Sequence, residues 1–129
     1  MSGMAQDLWP EDIAVTDLIS PISILKEQAA HLGEKTQNLV KGEVVQDSAN
    51  NQSFAYSFYL VAPALQHYKY RLFRVIHPVS FYPLMLAFDV SSSQATVNNQ
   101  SELIENLRTF FADENTTKVI KALIAQSSK

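Results

Sequence analysis

The sequence contains no cysteine and only three glycines, Gly3, Gly33 and Gly42, which stand apart from one another. Without cysteine the chain cannot form a disulfide framework, a cysteine metal site or a thiol nucleophile. Isolated glycines form no phosphate-binding loop, and no serine stands in a Gly-x-Ser-x-Gly motif. These absences argue against nucleotide hydrolysis and against dinucleotide-dependent chemistry.

Basic residues are also few, because 10 Lys and Arg against 13 Asp and Glu give a net charge of -3. Nucleic-acid-binding domains usually carry a clear basic excess, so this balance disfavours nucleic acid as a partner. Long apolar runs are missing too, and none approaches the ~20 residues that cross a membrane. The N-terminal residues lack the basic segment and apolar run of a secretory signal. We therefore expect a soluble, cytoplasmic protein with no membrane partner.

What the chain does contain is enough apolar material for one domain. Its 129 residues are 47% hydrophobic and 18% charged, which is typical of a single folded domain. We predict one α+β domain over residues 1–129, with an N-terminal arm at 1–19 and a frayed tail at 127–129. The arm is predicted to be coil, and Trp9 is its candidate for docking on the rest of the chain.

Three stretches show the period of amphipathic helices. Ser20 and Pro21 form a typical helix start, because serine caps the first turn and proline is tolerated at the first helical position. This helix is predicted to end at Gly33 or one turn later. A second helix begins near residue 100 and breaks at 113–115, and a third covers 116–126.

Four segments are rich in aromatic and β-branched residues and predict strands: residues 39–46, 53–61, 67–77 and 81–90. Turn-forming residues at 47–52 join the first two as a hairpin. Pro83 cannot donate to a ladder, which predicts an edge position or a bulge for the fourth strand. The polar residues 91–100 are expected to be a flexible link. We therefore predict a four-stranded antiparallel meander, with one N-terminal and two C-terminal helices packed mainly on one face.

Alternation along the strands, with tight turns, sorts the side chains into two faces. The predicted core face carries large apolar residues: Phe54, Tyr56, Phe58, Leu60, Phe73, Val75, Tyr82, Leu84, Leu86 and Phe88. Lys69 and Arg71 fall on this face as well, with Arg71 near Glu43 at the rim, unless the register slips by one residue and turns both to solvent. The second face carries the alternate positions: Ala55, Ser57, Tyr59, Val61, Tyr68, Tyr70, Leu72, Arg74, Ile76, Phe81, Met85, Ala87 and Asp89.

This second face is semi-apolar, whereas a solvated sheet face is mostly polar. Tyrosine and arginine are favoured at interfaces because they combine contact area with a polar tip. The predicted interface residues are Tyr59, Tyr68, Tyr70, Arg74 and Asp89. Three explanations stay open for this face: a homodimer contact, a barrel or cup around a ligand, and a cover formed by the N-terminal segment with Trp9.

The histidines predict no metal site and the chain predicts no cofactor. His31 is alone on a helix, whereas His67 and His77 lie at opposite ends of one strand, about 30 Å apart. We interpret all three as surface or rim residues. Residues 67–74 interleave basic and aromatic side chains, a combination that can stack nucleic-acid bases. With the acidic net charge, a central strand with charged ends is the better interpretation.

Two functional hypotheses follow. The first is a non-catalytic interaction or accessory protein that binds a second copy or another protein through the second face. The second is a small-molecule-binding or enzyme domain with an aromatic-lined cavity between sheet and helices. The polar lining of that cavity is predicted to be Tyr56, Arg71 and Tyr82.

Overall fold

The chain forms one long helix, then five strands, then two more helices. The computed structural model describes residues 6–14, 16–47 and 52–128. The helices are α1 (Pro21–Lys35), α2 (Gln100–Ala112) and α3 (Glu114–Ser127), and the strands are β1 (Lys41–Gln46), β2 (Phe54–Ala62), β3 (Tyr68–His77), β4 (Leu84–Phe88) and β5 (Ser93–Val97). Two short 3-10 segments cover Glu11–Ala14 and Pro63–Leu65. The predicted α+β class is confirmed.

The antiparallel sheet has the strand order β1-β2-β3-β4-β5, so the predicted meander is right and the predicted count of four strands is wrong. The additional strand, β5, lies within residues 91–100, which we expected to be a flexible link. Its Ala95 and Val97 pair with the two leucines of β4, and Val97 is fully buried. The signal for β5 in the sequence is weak, because only these two residues of the segment are apolar. The turn before β5 contains Ser92 with a φ of 53° instead of the glycine that marks such turns.

β4 is shorter than predicted and lies inside the sheet. We expected a strand over residues 81–90 at an edge because of Pro83, but β4 runs between β3 and β5. Pro83 stands in the connection before the strand, so its missing N–H removes no ladder hydrogen bond. In the described sheet the edges are β1 and β5.

A β-bulge in β3 reverses the predicted faces of the first half of that strand. Phe58 pairs with Phe73, but the next residue of β2, Tyr59, pairs with Arg71, so Leu72 is an extra residue in β3. Leu72 is buried in the core and faces the helices, as Phe73 does. Positions before the bulge therefore alternate in the opposite sense to positions after it.

The bulge overturns five of the predicted placements. Tyr68 and Tyr70 pair with buried residues of β2 on the helix side, so the prediction that they lie on the second face is wrong. The same correction applies to Leu72, which belongs to the core. Lys69 and Arg71 lie on the face without helices, which is the one-residue slip that the sequence left open.

Phenylalanine rings from both layers hold the helices against the sheet. Phe58 stacks on Phe73 with ring centroids 5.1 Å apart, and Phe88 stacks on Phe110 of α2 at 4.1 Å. Phe110 also meets Phe73 edge-on at 5.8 Å. These contacts tie α2 to three strands, and each large buried side chain stabilises the fold by roughly 1.5–3 kcal/mol.

Side-chain caps set the ends of the helices. The hydroxyl of Ser20 accepts the N–H of Ser23 at 3.2 Å, which confirms the predicted start of α1. Asn99 caps α2 in the same way. Asp113 caps α3, so α3 begins at Glu114 and the predicted break of three residues is a single residue.

The two ends of the chain differ from expectation. Ser127 belongs to α3 and is buried, so the predicted frayed tail is wrong at that residue, while Lys129 lies outside the described residues. The arm contains the 3-10 segment Glu11–Ala14 and leaves Trp9 72% exposed, so Trp9 does not dock on the sheet. Positions 48–51 of the predicted hairpin loop also lie outside the described residues.

Gly42 allows α1 to cross β1 at close range. A Cβ at this position would stand 2.7 Å from the Cα and Cβ of Ala29 and 2.9 Å from the ring of Phe58. Because a helix backbone and a core ring have little room to move, we expect Gly42→Ala to lower the free energy of unfolding by about 1–3 kcal/mol in urea titrations followed by circular dichroism.

Gly33→Ala is the matched control, because its Cβ would meet only the exposed side chain of Asn38, at 3.1 Å. We expect this variant to lose no stability and to gain up to about 1 kcal/mol, because alanine is favoured over glycine inside a helix. Equal losses in the two variants would contradict the close-approach explanation for Gly42.

Candidate functional site

The face of the sheet opposite the helices is here named the open face. Its residues form four rows across the strands: Lys41, Val61 and Lys69; Glu43, Tyr59 and Arg71; Val45, Ser57, Arg74, Ala87 and Gln94; and Ala55, Ile76, Met85 and Thr96. The buried helix residues belong to the core on the other side of the sheet. Charged residues concentrate at one end of the open face and apolar residues at the other.

Two basic residues of β3 on the open face are held by carboxylates. The Nζ atom of Lys69 lies 2.7 Å from Glu43 and 5.8 Å from the ring centre of Tyr59. The Nε–H of Arg71 donates to Asp89 at 2.8 Å. This hydrogen bond raises the pKa of the Arg71 guanidinium above its ordinary value, although partial desolvation opposes it. The predicted contact between Arg71 and Glu43 is wrong, since the carboxylate of Glu43 pairs with Lys69 and Arg71 pairs with Asp89.

Asp47 joins two further strands in the middle of the open face. Its carboxylate accepts the hydroxyl hydrogen of Ser57 at 2.7 Å and lies 3.5 Å from the Nε atom of Arg74. Ser57 is fully buried although no helix covers this face. The three basic residues of β3 on the open face are thus matched by three acids of the same chain.

The apolar end of the open face is centred on one cross-strand pair. Ile76 and Met85 lie directly opposite each other, with Ala55 beyond Ile76 on β2. Ile76, Met85 and Thr96 form part of the wall of an open hollow of about 630 Å³ at this end of the sheet. This end therefore presents mainly apolar side chains, and the charged residue beside its row is Asp47, whose N–H donates to the carbonyl of Ala55 at 2.8 Å.

Three of the five predicted interface residues reach the open face. Tyr59 and Arg74 lie on it, and the carboxylate of Asp89 reaches it from the end of β4. Tyr68 and Tyr70 lie on the helix side instead. Alternation alone placed all five together, and no signal in the sequence marks the bulge that separates them.

The structure does not bring together the three predicted cavity residues. Tyr56 is buried on the helix side, where it stacks on His77 with ring centroids 5.8 Å apart. Arg71 lies on the open face. Tyr82 stands in the connection before β4, and its buried hydroxyl has no hydrogen-bond partner among the described residues.

A different cavity, which the sequence does not predict, separates α1 from α2 and α3 and is here named the helix cleft. It consists of two adjoining hollows of about 300 Å³ and 370 Å³ that share Gln28 and Phe111. Its floor is Phe58, Leu60 and Leu72, and its basic rim is His31, Lys35 and Arg108. The apolar stripes of the helices predict that they face inward, but not that α1 stands apart from its neighbours.

His77 is buried, so its predicted place at the surface or rim is wrong. Its ring stacks between Phe54 and Tyr56 at 5.6 Å and 5.8 Å, and its Nδ1 atom donates to the carbonyl of Pro78 at 2.7 Å. These contacts give His77 a packing role in the core. The other two histidines are exposed, as predicted.

The described ranges contain no group of three or more His, Asp or Glu side chains that could hold a metal ion. Within the same ranges, no helix is both long enough and apolar enough to cross a membrane. Comparisons with protein-family models, with curated proteins and with solved structures found no match. A function for this protein therefore has to be inferred from its own surfaces.

The buried contact of Asp47 predicts an uneven cost among the acids of the open face. Asp47→Ala removes the acceptor of the buried Ser57 hydroxyl and the partner of Arg74, so we expect a loss of about 1–3 kcal/mol in the free energy of unfolding. Glu43→Ala breaks a pair with Lys69 whose side chains are 43% and 50% exposed, and we expect a loss below about 1 kcal/mol. Denaturant titration of both variants measures this difference, and a larger loss for Glu43→Ala would refute it.

Tyr82 predicts a specific dependence of stability on alkaline pH. Burial raises the pKa of its hydroxyl. The folded state therefore keeps this hydroxyl protonated to a higher pH than the unfolded state does. The resulting contribution to the free energy of unfolding is fully present below the unfolded pKa of about 10 and is lost as pH rises through the folded pKa.

We expect Tyr82→Phe to make the decline in unfolding free energy above about pH 10 shallower. Near neutral pH the change should stay within about 1 kcal/mol, because the lost hydroxyl has no partner. Tyr68→Phe, at an exposed tyrosine, is the control and should leave the alkaline decline unchanged. Identical pH profiles for wild type and Tyr82→Phe would contradict the expectation.

Proposed function

We propose that this protein is a non-catalytic interaction protein that pairs with a second copy of itself through the open face. One observation carries the proposal: a face spanning five strands is covered by none of the described helices, yet the three basic side chains that β3 presents on it are already paired within the chain. A face meant only for water is usually dominated by free polar side chains. The open face has instead the mixed, nearly charge-balanced character that a partner surface can bury.

Charge balance favours a second copy as the partner. The pairs on the open face are Lys69 with Glu43, Arg71 with Asp89, and Arg74 with Asp47. With Lys41 at its edge the face has four basic residues against three acids, so its net charge is only +1 and a second copy meets little net repulsion when the two faces approach. Removing water from an ion pair also costs less free energy than removing it from a lone ion, because the two charges attract each other.

The apolar end supplies the part of the contact that gains most from burial. Ile76 and Met85 are partly exposed in the single chain, and in a two-fold arrangement they meet the same residues of the second copy. Five strands about 4.8 Å apart and about 20 Å long give the face a projected area of about 480 Å². Side-chain relief increases the accessible area above the projection, so the full face approaches the ~800 Å² per partner of a standard stable interface.

The arrangement of β3 supports a protein partner over nucleic acid. The bulge places Tyr68 and Tyr70 on the helix side, whereas Lys69 and Arg71 lie on the open face. The basic and aromatic residues of this segment therefore do not form one stacking platform of the kind that binds single strands. A cytoplasmic setting, expected from the cysteine-free composition, remains part of the proposal.

Because the chain has no cysteine, single introduced cysteines can map the contact between copies. Ala87→Cys places a thiol in the central row of the open face, and we expect it to form a cross-linked dimer with a short bis-maleimide. Ala30→Cys, on the exposed side of α1, is the control and should stay monomeric on the gel. Cross-linking confined to Ala30→Cys would refute the proposal.

Ile76→Glu should abolish the cross-link at position 87, because an unpaired carboxylate would be buried between the two apolar ends. We expect the dissociation constant of the open-face contact to rise by at least about thirtyfold, and the mass from light scattering to fall by half. Tyr68→Glu, on the same strand but on the helix side, should keep the wild-type mass. An unchanged mass for Ile76→Glu, with an unchanged circular dichroism spectrum, would place the contact elsewhere.

A further inference from the structure

The helix cleft leaves apolar surface uncovered on the side of the sheet opposite the open face. Its partly exposed apolar lining is Leu32, Phe111 and Ile120, which stand above the fully buried floor residues Leu60 and Leu72. Its polar rim is basic, with His31 and Lys35 on α1 and Arg108 on α2, and the described lining includes no acid. Two acids stand beside this rim, since Glu105 contacts Arg108 at 3.1 Å and Glu34 lies 3.6 Å from the Nδ1 atom of His31. Both pairs are more than half exposed, so the basic groups remain accessible.

The N-terminal arm has the complementary character. Its apolar side chains are uncovered, with Leu8, Trp9, Ile13 and Leu18 being 86%, 72%, 61% and 73% exposed. The arm is also acidic, since residues 1–19 contain four acids and no basic residue: Asp7, Glu11, Asp12 and Asp17. An exposed segment that combines large apolar residues with charge of one sign is a typical docking peptide.

We propose that the arm of one copy docks in the helix cleft of a second copy, with its apolar residues against Leu32, Phe111 and Ile120 and its acids at the basic rim. The arm and the cleft both expose apolar side chains, and their charges are of opposite sign. Reciprocal exchange of two arms closes as a two-fold pair and leaves no free docking surface. The cleft and the open face lie on opposite sides of the sheet, so this contact goes beyond the proposed function and does not compete with it.

The dimensions of arm and cleft agree. The α1 residues that line the cleft run from Ile24 to Lys35, which is about 17 Å along a helix. An extended chain covers that length with about five or six residues. With about 3.3 Å per residue before Glu11 and about 2 Å per residue in the 3-10 segment, Leu8 to Ala14 reaches about 16 Å and can follow the cleft. The residues that lead from there to Ser20 can form the crossing between copies.

The start of α1 favours a second copy over the same chain. The chain enters α1 through Ser20 in an extended conformation, with φ of -77° and ψ of 151°, and the Ser20 hydroxyl caps the first turn. An arm folded back along its own α1 would have to reverse direction at this cap. The arm of another copy can enter the cleft with the cap intact.

Trp9 is the only tryptophan of the chain and therefore reports directly on the arm. In a dilution series of the full chain, we expect its emission to move to shorter wavelength and its quenching by acrylamide to fall as protein concentration rises. The same series in the Ile76→Glu variant should show the same shift, because Ile76 lies on the open face. A shift lost in that variant would show that docking depends on the open face and would overturn an independent arm contact.

Charge reversal tests the pairing of arm and rim. The double variant Lys35→Glu, Arg108→Glu should raise the concentration at half-shift by roughly tenfold or more, since both exposed attractions become repulsions. The control Lys26→Glu, Lys118→Glu reverses two exposed charges outside the cleft lining and should leave the half-shift concentration unchanged. Equal effects in the two double variants would overturn the pairing.

Mixing identifies the chain that supplies the arm. A chain with Asp12→Lys and Asp17→Lys should dock poorly by itself, as should the rim-reversed chain. In an equal mixture the unchanged acidic arm meets the unchanged basic rim, and the two substituted lysines meet the reversed, acidic rim, so we expect the half-shift concentration to return toward the wild-type value. Failure of the mixture to recover, or a blue-shifted Trp9 at every wild-type dilution, would assign docking to the arm's own chain and overturn the exchange. A Trp9 that stays exposed at every concentration would overturn docking altogether.

Discussion

The side chains that β3 presents on each face depend on one extra residue. Leu72 has no partner in β2, because Phe58 pairs with Phe73 and Tyr59 with Arg71. The alternation of side chains therefore changes phase in the middle of the strand. Without this change, either Phe73 would leave the phenylalanine cluster or Arg71 would enter the core as a charge without water. A one-residue irregularity thus lets one strand supply large core residues at both ends and keep its charges on the other face.

The phenylalanine cluster follows from that phase change. Phe73 lies between Phe58 and Phe88 in the sheet and beneath Phe110 of α2, so it connects three strands to the helix layer. On the other flank, α1 lies close to β1 because Gly42 has no side chain at the crossing. Since the two helical units are positioned by different strands, a cleft remains between them. The helix cleft is therefore a consequence of how the core is distributed.

Two surfaces remain uncovered after the core is formed, and they differ in chemistry. The open face is close to neutral, because the three basic residues of β3 pair with acids of the same chain and only Lys41 at the edge adds an uncompensated charge. The helix cleft is apolar with a basic rim, and the acidic arm is the segment of this chain that complements it. A neutral face suits contact between like surfaces, whereas a charged rim suits contact between unlike surfaces. Both proposals rest on this distinction between the surfaces, since the comparisons with known proteins found no match.

The sequence by itself determined the elements whose signals are local: the Ser20 cap of α1, the aromatic strands β2 and β3, and the apolar stripes of the helices. Short connections made the antiparallel meander the default topology, and the structure confirms it, but the sequence did not fix the strand order. The tertiary structure alone decided the strand β5, whose polar residues gain their structure from pairing with β4. It alone decided the faces of Tyr68, Tyr70, Lys69 and Arg71, because a bulge arises from the fit of two strands and not from the composition of one. It also decided the helix cleft, since the space between two helices depends on the elements that hold them apart.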